Sequence, residues 1–576
     1  MNTTEFMKRY FLWLNSPFVS EADKEYLRSI QDNPSEIQRR FSSYLTFGTG
    51  GLRSTMGPGT AMMNVYTVAH ITQAIAQLIR EEHGEQEGVV IAFDSRLHSA
   101  EFAQTTAAVL AANQIKVYLF DAIRPTPELS FALLSLGCMA GINITASHNP
   151  KEYNGYKVYW KDGAQLPVMH AQAVTDKAAS IDIFDDVKHM RFEDALQSGY
   201  IEIIGQETDQ KYLDAVVSQI VDPTVLPAAK NFSVVYTPLH GAGYRLVPEV
   251  LRRVGLQKLI TVSEQMTPDG TFPTVKQPNP EYPEVFTLAK RMAERENSNL
   301  MIATDPDADR LAVTVKKADG TFVTLTGNQT GLLLLDYIIQ AYEKNGTLPQ
   351  NPFVVKTIVS SRLCESICQT HDIRLYNVLT GFKYIGEMIK LHDGKDGHFI
   401  FGFEESCGYL KGTYTRDKDG VVAAMLVCEM AAAYSLQGKT LYDALEDLYA
   451  KYGFSFERTE EIVTEGLDAK EKQEKLMQTL RDQPPKYFGN IRTEIVSDLN
   501  TRKILNLLTG DLMLSTLPKS NVLSFSLENG DTIVIRPSGT EPKVKMYFLI
   551  TASTEDEAMA KFATYKQTTL SFAKGI

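Results

Sequence analysis

Apolar positions in this chain fall into short β-branched runs, each followed by a polar loop and a helix-like stretch, and the pattern recurs three times. Val89-Val90-Ile91-Ala92-Phe93 leads into Asp94-Ser95-Arg96 and an alanine-rich segment that predicts a helix over about 100–113. It is answered by Gly141-Ile142-Asn143-Ile144, opening into Thr145-Ala146-Ser147-His148-Asn149-Pro150. Ser233-Val234-Val235-Tyr236 is answered by Leu300-Met301-Ile302-Ala303-Thr304 and the loop Asp305-Pro306-Asp307-Ala308-Asp309-Arg310. Phe353-Val354-Val355-Lys356 is answered by His398-Phe399-Ile400-Phe401 and Gly402-Phe403-Glu404-Glu405-Ser406. Buried strands alternating with helices predict α/β domains whose chemistry sits in loops at strand ends.

The two ends differ from this middle. Phe6, Tyr10, Leu12 and Trp13 recur at helical spacing, and a second amphipathic piece starts at Glu21. Near the C-terminus Leu523, Phe525 and Leu527 alternate with polar residues, Asn529-Gly530 marks a tight turn, and Ile533 and Ile535 resume the alternation. Val544, Met546 and Phe548 alternate again before a helical tail from about 554. The expected fold class is α/β: three similar mixed α/β domains, over 1–215, 216–325 and 326–455, plus a C-terminal α+β domain over 456–576 with one buried sheet face.

Composition narrows the partners. The 576 residues exceed one hydrophobic core, and 44% hydrophobic with 22% charged residues is ordinary for a globular protein. A net charge of −12 speaks against nucleic acid or an anionic membrane surface as the main partner. No apolar run approaches the roughly 20 residues of a membrane span, and the first residues do not read as a secretory signal. Five cysteines without CxxC spacing fit reduced thiols and a cytoplasmic location. Nothing in the pattern separates a monomer from a dimer.

Four loops carry candidate chemistry. The first leaves the Ser147 hydroxyl on an exposed edge, where a weak nucleophile needs a base or a metal, or where the turn is structural only. In the second, Asp305, Asp307 and Asp309 alternate before Arg310, a density of charge that calls for a cation such as Mg²⁺. An EF-hand fails because Arg310 holds the glycine position and Lys316 the twelfth. A haloacid-dehalogenase-type phosphatase, with Asp307 as nucleophile and Asp309 as acid, is the serious rival. In the third, Glu404 and Ser406 suit vicinal sugar hydroxyls, and Thr380-Gly381-Phe382 precedes Lys383. In the fourth, Arg536, Ser538, Gly539 and Thr540 have the composition of a phosphate cradle, with Lys543 and Lys545 following. The Walker spacing is absent.

In this order the four loops resemble those of the α-D-phosphohexomutase family, from about residue 45 onward, and most of all the branch holding glucose- and pentose-phosphate mutases. Phe47 to Arg53, Arg124 to Glu128, Asn154 to Lys157 and Arg416 to Gly420 also match. The resemblance implies four domains around a central cleft, the last similar to the TATA-binding-protein fold. It implies a phosphate on Ser147, and Mg²⁺ held by Asp305, Asp307, Asp309 and a phosphoserine oxygen. Arg53, Thr380, Gly381, Glu404, Ser406, Arg536, Ser538, Gly539, Thr540 and Lys545 would bind a small sugar phosphate. Tyr547 departs from the pattern, standing where some relatives carry arginine, with Lys543 and Lys545 beside it.

The implied reaction moves a phosphoryl group from Ser147 to glucose 1-phosphate, through glucose 1,6-bisphosphate, to give glucose 6-phosphate. Mg²⁺ and Arg310 would neutralise the moving group. The base for the sugar hydroxyl would be Lys383, with Lys157 and His148 as the other candidates. Pentose or mannose phosphates are the alternative substrates; a sugar phosphatase and a non-catalytic sugar-phosphate-binding protein are the alternatives of another class.

Overall fold

The computed structural model describes residues 3–47, 51–464, 469–538 and 543–573. They form two compact units: residues 1–324 with 389–391 and 408–437, and residues 325–388 with 392–407 and 438–576.

The first unit opens with three helices, Thr3–Asn15, Glu21–Ser29 and Pro34–Phe41, where the sequence pattern marks two amphipathic stretches. Phe6, Tyr10, Trp13, Leu27, Ile37 and Phe41 pack there with Ile183 and Phe184. A six-stranded sheet follows, in the order Leu52–Thr55, Tyr153–Trp160, Ala140–Ile144, Val89–Phe93, Val117–Phe120, Ile201–Ile204. Val89–Phe93 runs parallel to both neighbours, and Tyr153–Trp160 runs antiparallel to Ala140–Ile144. Val89 and Ile91 enter one core cluster while Val90 and Ala92 enter another. Both faces of the strand are covered, which is why its sequence is apolar without alternation. The helix expected over about 100–113 is Ser99–Ala112.

A second sheet orders Phe322–Leu325, Leu311–Lys316, Leu300–Thr304, Ser233–Thr237 and Lys258–Thr261. The helix Gly420–Leu436 packs on Leu300–Thr304 and Leu311–Lys316, its first thirteen residues all buried. Asp419 caps it by accepting the N–H groups of Val421 (2.7 Å) and Val422 (3.1 Å). Among the described residues no single helix is long and apolar enough to cross a membrane.

In the second unit Arg374–Val378 and His398–Glu404 flank Pro352–Thr357, all parallel. Its C-terminal part is an antiparallel sheet in the order Phe454–Val463, Lys543–Ala552, Thr532–Pro537, Leu523–Leu527, Ile491–Asp498, Lys503–Asn506, Leu512–Leu514, with Tyr487–Phe488 paired to Ile491–Asp498. The expected alternation decides its faces. Leu523, Phe525, Ile533, Ile535, Val544, Met546 and Phe548 join Leu476, Met477, Leu480, Phe562 and Tyr565 of the helices Ala469–Asp482 and Glu555–Ala573 in one core. The opposite face is buried too: Val534 and Tyr547 pack with Leu499, Val522, Val359 and Leu379. The expected single buried face is therefore corrected to two, because the α/β part of this unit covers the second.

Candidate active site

The strand Ala140–Ile144, buried throughout, delivers the serine loop. Thr145 donates its hydroxyl to Asp94 Oδ2 (2.6 Å) and accepts the backbone N–H of Ser147 (2.8 Å). Ser147 adopts φ +52°, a left-handed conformation that costs a non-glycine residue on the order of 1–3 kcal/mol. Arg96 holds it there: its guanidinium donates to the carbonyls of Ser147 (2.6 Å), Asn149, Pro150 (2.8 Å) and Tyr153 (2.9 Å). Arg96 is itself paired with Asp94 at 3.4 Å, both side chains fully buried. The exposed edge expected for Ser147 is corrected. The residue is 1% exposed, because the aspartate loop covers it and accepts its hydroxyl hydrogen bond at Asp305 Oδ2, 2.6 Å away. His148 Nδ1 lies 3.1 Å from the same hydroxyl, and Arg53 reaches Asn149 Oδ1 at 3.2 Å.

The aspartate loop leaves the buried strand Leu300–Thr304. Asp305 Oδ1 accepts the backbone N–H groups of Asp309 (3.1 Å) and Arg310 (3.0 Å), curling the loop so that all three carboxylates converge. Asp305, Asp307 and Asp309 are each 0% exposed, so solvent does not disperse their charge. Lys157 Nζ bridges Asp307 Oδ2 (2.6 Å) and Asp309 Oδ2 (2.9 Å). Thr126 donates its hydroxyl to Asp307 Oδ2 (2.6 Å), and Lys418 Nζ lies 3.1 Å from Asp309 Oδ2. Arg310 pairs with Glu281 at 2.5 Å.

These contacts leave Asp307 Oδ1 and Asp309 Oδ1 buried without a hydrogen-bond partner, Arg310 Nε standing 4.0 Å from Asp309 Oδ1. Orphaned carboxylate oxygens are costly unless something cationic meets them. The three aspartates can bring one oxygen each to within 4.8 Å of the others. The triad therefore fits a metal ion, and an all-oxygen donor set suits a hard cation. Burial and the neighbouring Asp307 and Asp309 push the Asp305 carboxyl well above its usual range. Asp307 is also penalised by burial, yet the charge and hydrogen bond of Lys157 hold it well below. Burial works against the Lys157 ammonium in turn, and Asp307 and Asp309 outweigh it and raise its pKa. A lysine so held is a fixed cation and a poor base.

The remaining candidates lie in the second unit. Gly381, at φ +119°, turns the chain from Thr380 into the helix Phe382–His392. Lys383 is half-buried beside the Tyr384 ring, and desolvation lowers its pKa. Glu404 ends the strand His398–Glu404, and Ser406 donates its hydroxyl to Glu404 Oε1 at 3.2 Å. The turn closes at Cys407, φ +61°. It rests on Gly327, where a Cβ would meet the Glu405 carbonyl oxygen at 2.1 Å. Arg536 Nε donates to the Tyr547 hydroxyl at 3.3 Å. Burial opposes the Arg536 charge, while Tyr547, Glu405 and Glu404 favour it. Ser538 donates its backbone N–H to Lys543 O at 2.8 Å; Gly539 and Thr540 lie outside the described residues. Lys543 and Lys545 stand 3.0 and 3.5 Å from Glu461. Tyr547, 2% exposed, fills the arginine position as a hydrogen-bonding partner of Arg536.

Sequence reasoning passed over Asp94, Arg96, Thr126 and Lys418 as site residues. Asp94-Ser95-Arg96 directly after a buried strand, and three charges ahead of an apolar helix at 417–419, are the signals that could have found them.

Comparison with known proteins matches this arrangement. Models of phosphoglucomutase/phosphomannomutase α/β/α domains I, II and III match residues 44–183, 210–320 and 326–452. A phosphoglucomutase of Staphylococcus saprophyticus is 36% identical over 557 residues, 96% of this chain and 98% of that protein. One of Staphylococcus aureus is 35% identical over 547 residues, 94% and 97% of the two chains. The crystal structure of a putative phosphomannomutase from Thermus thermophilus superposes with a TM-score of 0.67 at 21% identity, covering 92% of this chain and 99% of that one, a likeness of fold. With three domain models matched in order and two relatives alike over nearly its whole length, the chain belongs to the phosphoglucomutase/phosphomannomutase family, enzymes of the phosphohexomutase type that isomerise their substrates.

Proposed function

We propose that this phosphoglucomutase-type enzyme interconverts α-D-glucose 1-phosphate and glucose 6-phosphate by relaying a phosphoryl group through Ser147. The observation that carries the reading is the buried Ser147 hydroxyl, 2.6 Å from Asp305, beside two buried carboxylate oxygens that accept no hydrogen bond. Asp305, Asp307 and Asp309 would hold Mg²⁺ together with an oxygen of the Ser147 phosphate. The bound ion supplies neutralisation of charge on the phosphoryl oxygens.

In the forward direction the bond from Ser147 Oγ to phosphorus breaks and a bond from the sugar O6 to phosphorus forms, giving glucose 1,6-bisphosphate. The O6 proton passes to a base. Lys383 suits that role because burial lowers its pKa, whereas Lys157 is held as a cation. Ser147 Oγ recovers a proton, with His148 Nδ1 at 3.1 Å in position to give it. The bisphosphate, bound in the opposite sense, returns its 1-phosphoryl group to Ser147. Arg310 balances charge at the moving group, Glu404 and Ser406 bind sugar hydroxyls, and Arg536 and Ser538 grip the phosphate that stays behind, with Arg53, Thr380, Gly381, Gly539, Thr540 and Lys545 completing the contacts to substrate. Positioning and charge stabilisation supply most of the rate.

The test is a coupled assay with and without Mg²⁺ and trace glucose 1,6-bisphosphate, comparing kcat/KM for glucose 1-phosphate and ribose 1-phosphate. Activity needing both additions, with preference for glucose, is expected; preference for the pentose removes the glucose assignment. Release of free phosphate by a Ser147→Ala protein would replace the mutase by a phosphatase. Intact mass should show a phosphoryl adduct of roughly 80 Da on the Ser147 peptide.

A further inference from the structure

The helix Thr126–Leu136 packs on the strands Ala140–Ile144 and Val89–Phe93 through an apolar layer in which Ala92, Leu129, Ala132, Leu133 and Tyr159 are fully buried. One polar side chain stands in that layer. Asn143 pairs in register with Ala92 on one side and Lys157 on the other, so the three share a face of the sheet, and Asn143 is 0% exposed. Its amide Nδ2 donates to Thr126 Oγ1 at 2.7 Å, while its carbonyl Oδ1 is buried and accepts no hydrogen bond. An unmet carbonyl is unfavourable for stability, and an aliphatic side chain would fill the layer without it.

The amide fixes the direction of a hydroxyl. Thr126, the first residue of the helix, meets Asp307 twice: its backbone N–H donates to the Asp307 carbonyl (2.8 Å) and its Oγ1 to Asp307 Oδ2 (2.6 Å). Asp307 Oδ2 also takes a hydrogen from Lys157 Nζ (2.6 Å), so it is an acceptor. A threonine hydroxyl has a single hydrogen to give, and an amide nitrogen only donates. Asn143 Nδ2 therefore occupies a lone pair of Thr126 Oγ1 and leaves the hydroxyl hydrogen to Asp307. An acceptor in its place would draw that hydrogen away, and an aliphatic group would let the hydroxyl turn. Two neighbours in one row of the sheet thus reach the same carboxylate oxygen, Lys157 directly and Asn143 through Thr126.

We propose that Asn143 is a positioning residue for Asp307: acting through the Thr126 hydroxyl, it sets the rotation of the carboxylate before a metal ion arrives. This inference rests on the reading of Asp305, Asp307 and Asp309 as metal ligands. Removing a group that orients a metal ligand typically weakens metal binding about 10- to 100-fold, and Asn143 stands a hydrogen bond further from the ion than Thr126 does. Positioning and packing differ in a measurable way. A packing contribution of Asn143 adds to the loss of the Thr126 hydroxyl, whereas a contribution made through that hydroxyl disappears with it.

The experiment uses the full-length protein, with the phosphorylation state of Ser147 matched among variants by intact mass, and follows Mn²⁺ binding by electron paramagnetic resonance. Thr126→Val should weaken Mn²⁺ binding about tenfold or more, and Asn143→Ala about threefold to tenfold. The double variant should bind as Thr126→Val alone does. Thr126→Ser, which keeps the hydroxyl, should follow the wild type. Asn143→Leu fills the space that alanine leaves and should bind Mn²⁺ as weakly as Asn143→Ala. Wild-type affinity in Thr126→Val or in both Asn143 variants overturns the proposal, as does an Asn143 effect that persists undiminished in the double variant. Failure of both Asn143 variants to fold also overturns it, because the amide would then be holding the fold and not the carboxylate. If the wild type binds no Mn²⁺ at all, the metal-site reading itself falls and this inference with it; if it binds and only the Asn143 variants disagree, the metal-site reading stands.

Discussion

The serine and aspartate loops of the first unit and the loops at Glu404 and Arg536 of the second are built to different standards of closure. Ser147, Asp305, Asp307 and Asp309 are at most 1% exposed, and the carboxylate oxygens there that accept no hydrogen bond, Asp307 Oδ1 and Asp309 Oδ1, are buried with them. Lys383, Ser406, Arg536 and Lys545 are all half-exposed. One device is common to both units: a non-glycine residue in the left-handed region turns the serine loop, the aspartate loop and the loop after Glu404, Ser147 at φ +52°, Ala308 at +50° and Cys407 at +61°. The difference teaches where preorganisation is needed. On the proposed function, groups that handle charge and a covalent phosphate would be dry and fixed before substrate arrives, whereas those assigned to the sugar phosphate would stay more open, Glu404 at 5% exposed excepted.

The sharpest break of that comparison is Ser147→Ala. It should lower turnover on the order of 10⁴-fold in the coupled assay, while the loss of the donor to Asp305 Oδ2 should cost about 1–3 kcal/mol, read as a modest fall in the unfolding midpoint. Arg96→Met comes next and tests the closure itself. It leaves Asp94 buried and unpaired and frees four carbonyls, so it should cost about 3–5 kcal/mol, read as a fall in the unfolding midpoint. A shift no larger than that of a surface substitution would deny that the serine loop is held by this clamp.

In the second unit Lys383→Met should reduce kcat about 10²-fold with little change in midpoint. Only the neutral amine accepts a proton, so wild-type kcat should rise with pH through the lowered Lys383 pKa, and the variant should lose that rising limb. Arg536→Met should raise KM about tenfold with kcat far less affected, since a charged hydrogen bond to a phosphate is worth about 1.5–3 kcal/mol. Tyr547→Phe is the mildest: losing one hydrogen bond to Arg536 should cost about 0.5–1.5 kcal/mol and raise KM only a fewfold. If Tyr547→Phe equalled Arg536→Met, the tyrosine would be a phosphate ligand in its own right.

The sequence was informative where chemistry is local. A buried strand announces itself by its apolar run, and Asp305 to Arg310 and Thr145 to Pro150 carry donor sets that few other purposes require. Periodicity found Leu523–Leu527 and the strand after it, but not the pairing of Phe454–Val463 along the whole of Lys543–Ala552. Glu457, Glu460 and Glu461 interrupt that strand's apolar pattern and hide its register.

What the sequence by itself determined is the identity of the candidate groups, because a serine at the end of a buried strand and three alternating aspartates are defined within six residues each. What only the tertiary structure decided is their state. Asp305 meets the Ser147 hydroxyl across 158 positions, Lys157 meets Asp307 across 150, and Lys418 meets Asp309 from the segment ahead of the helix Gly420–Leu436. Whether a hydroxyl is exposed, a lysine protonated or a carboxylate oxygen bare depends on which distant charges the fold brings within about 3 Å, since burial costs and Coulomb attraction both act through space and not along the chain.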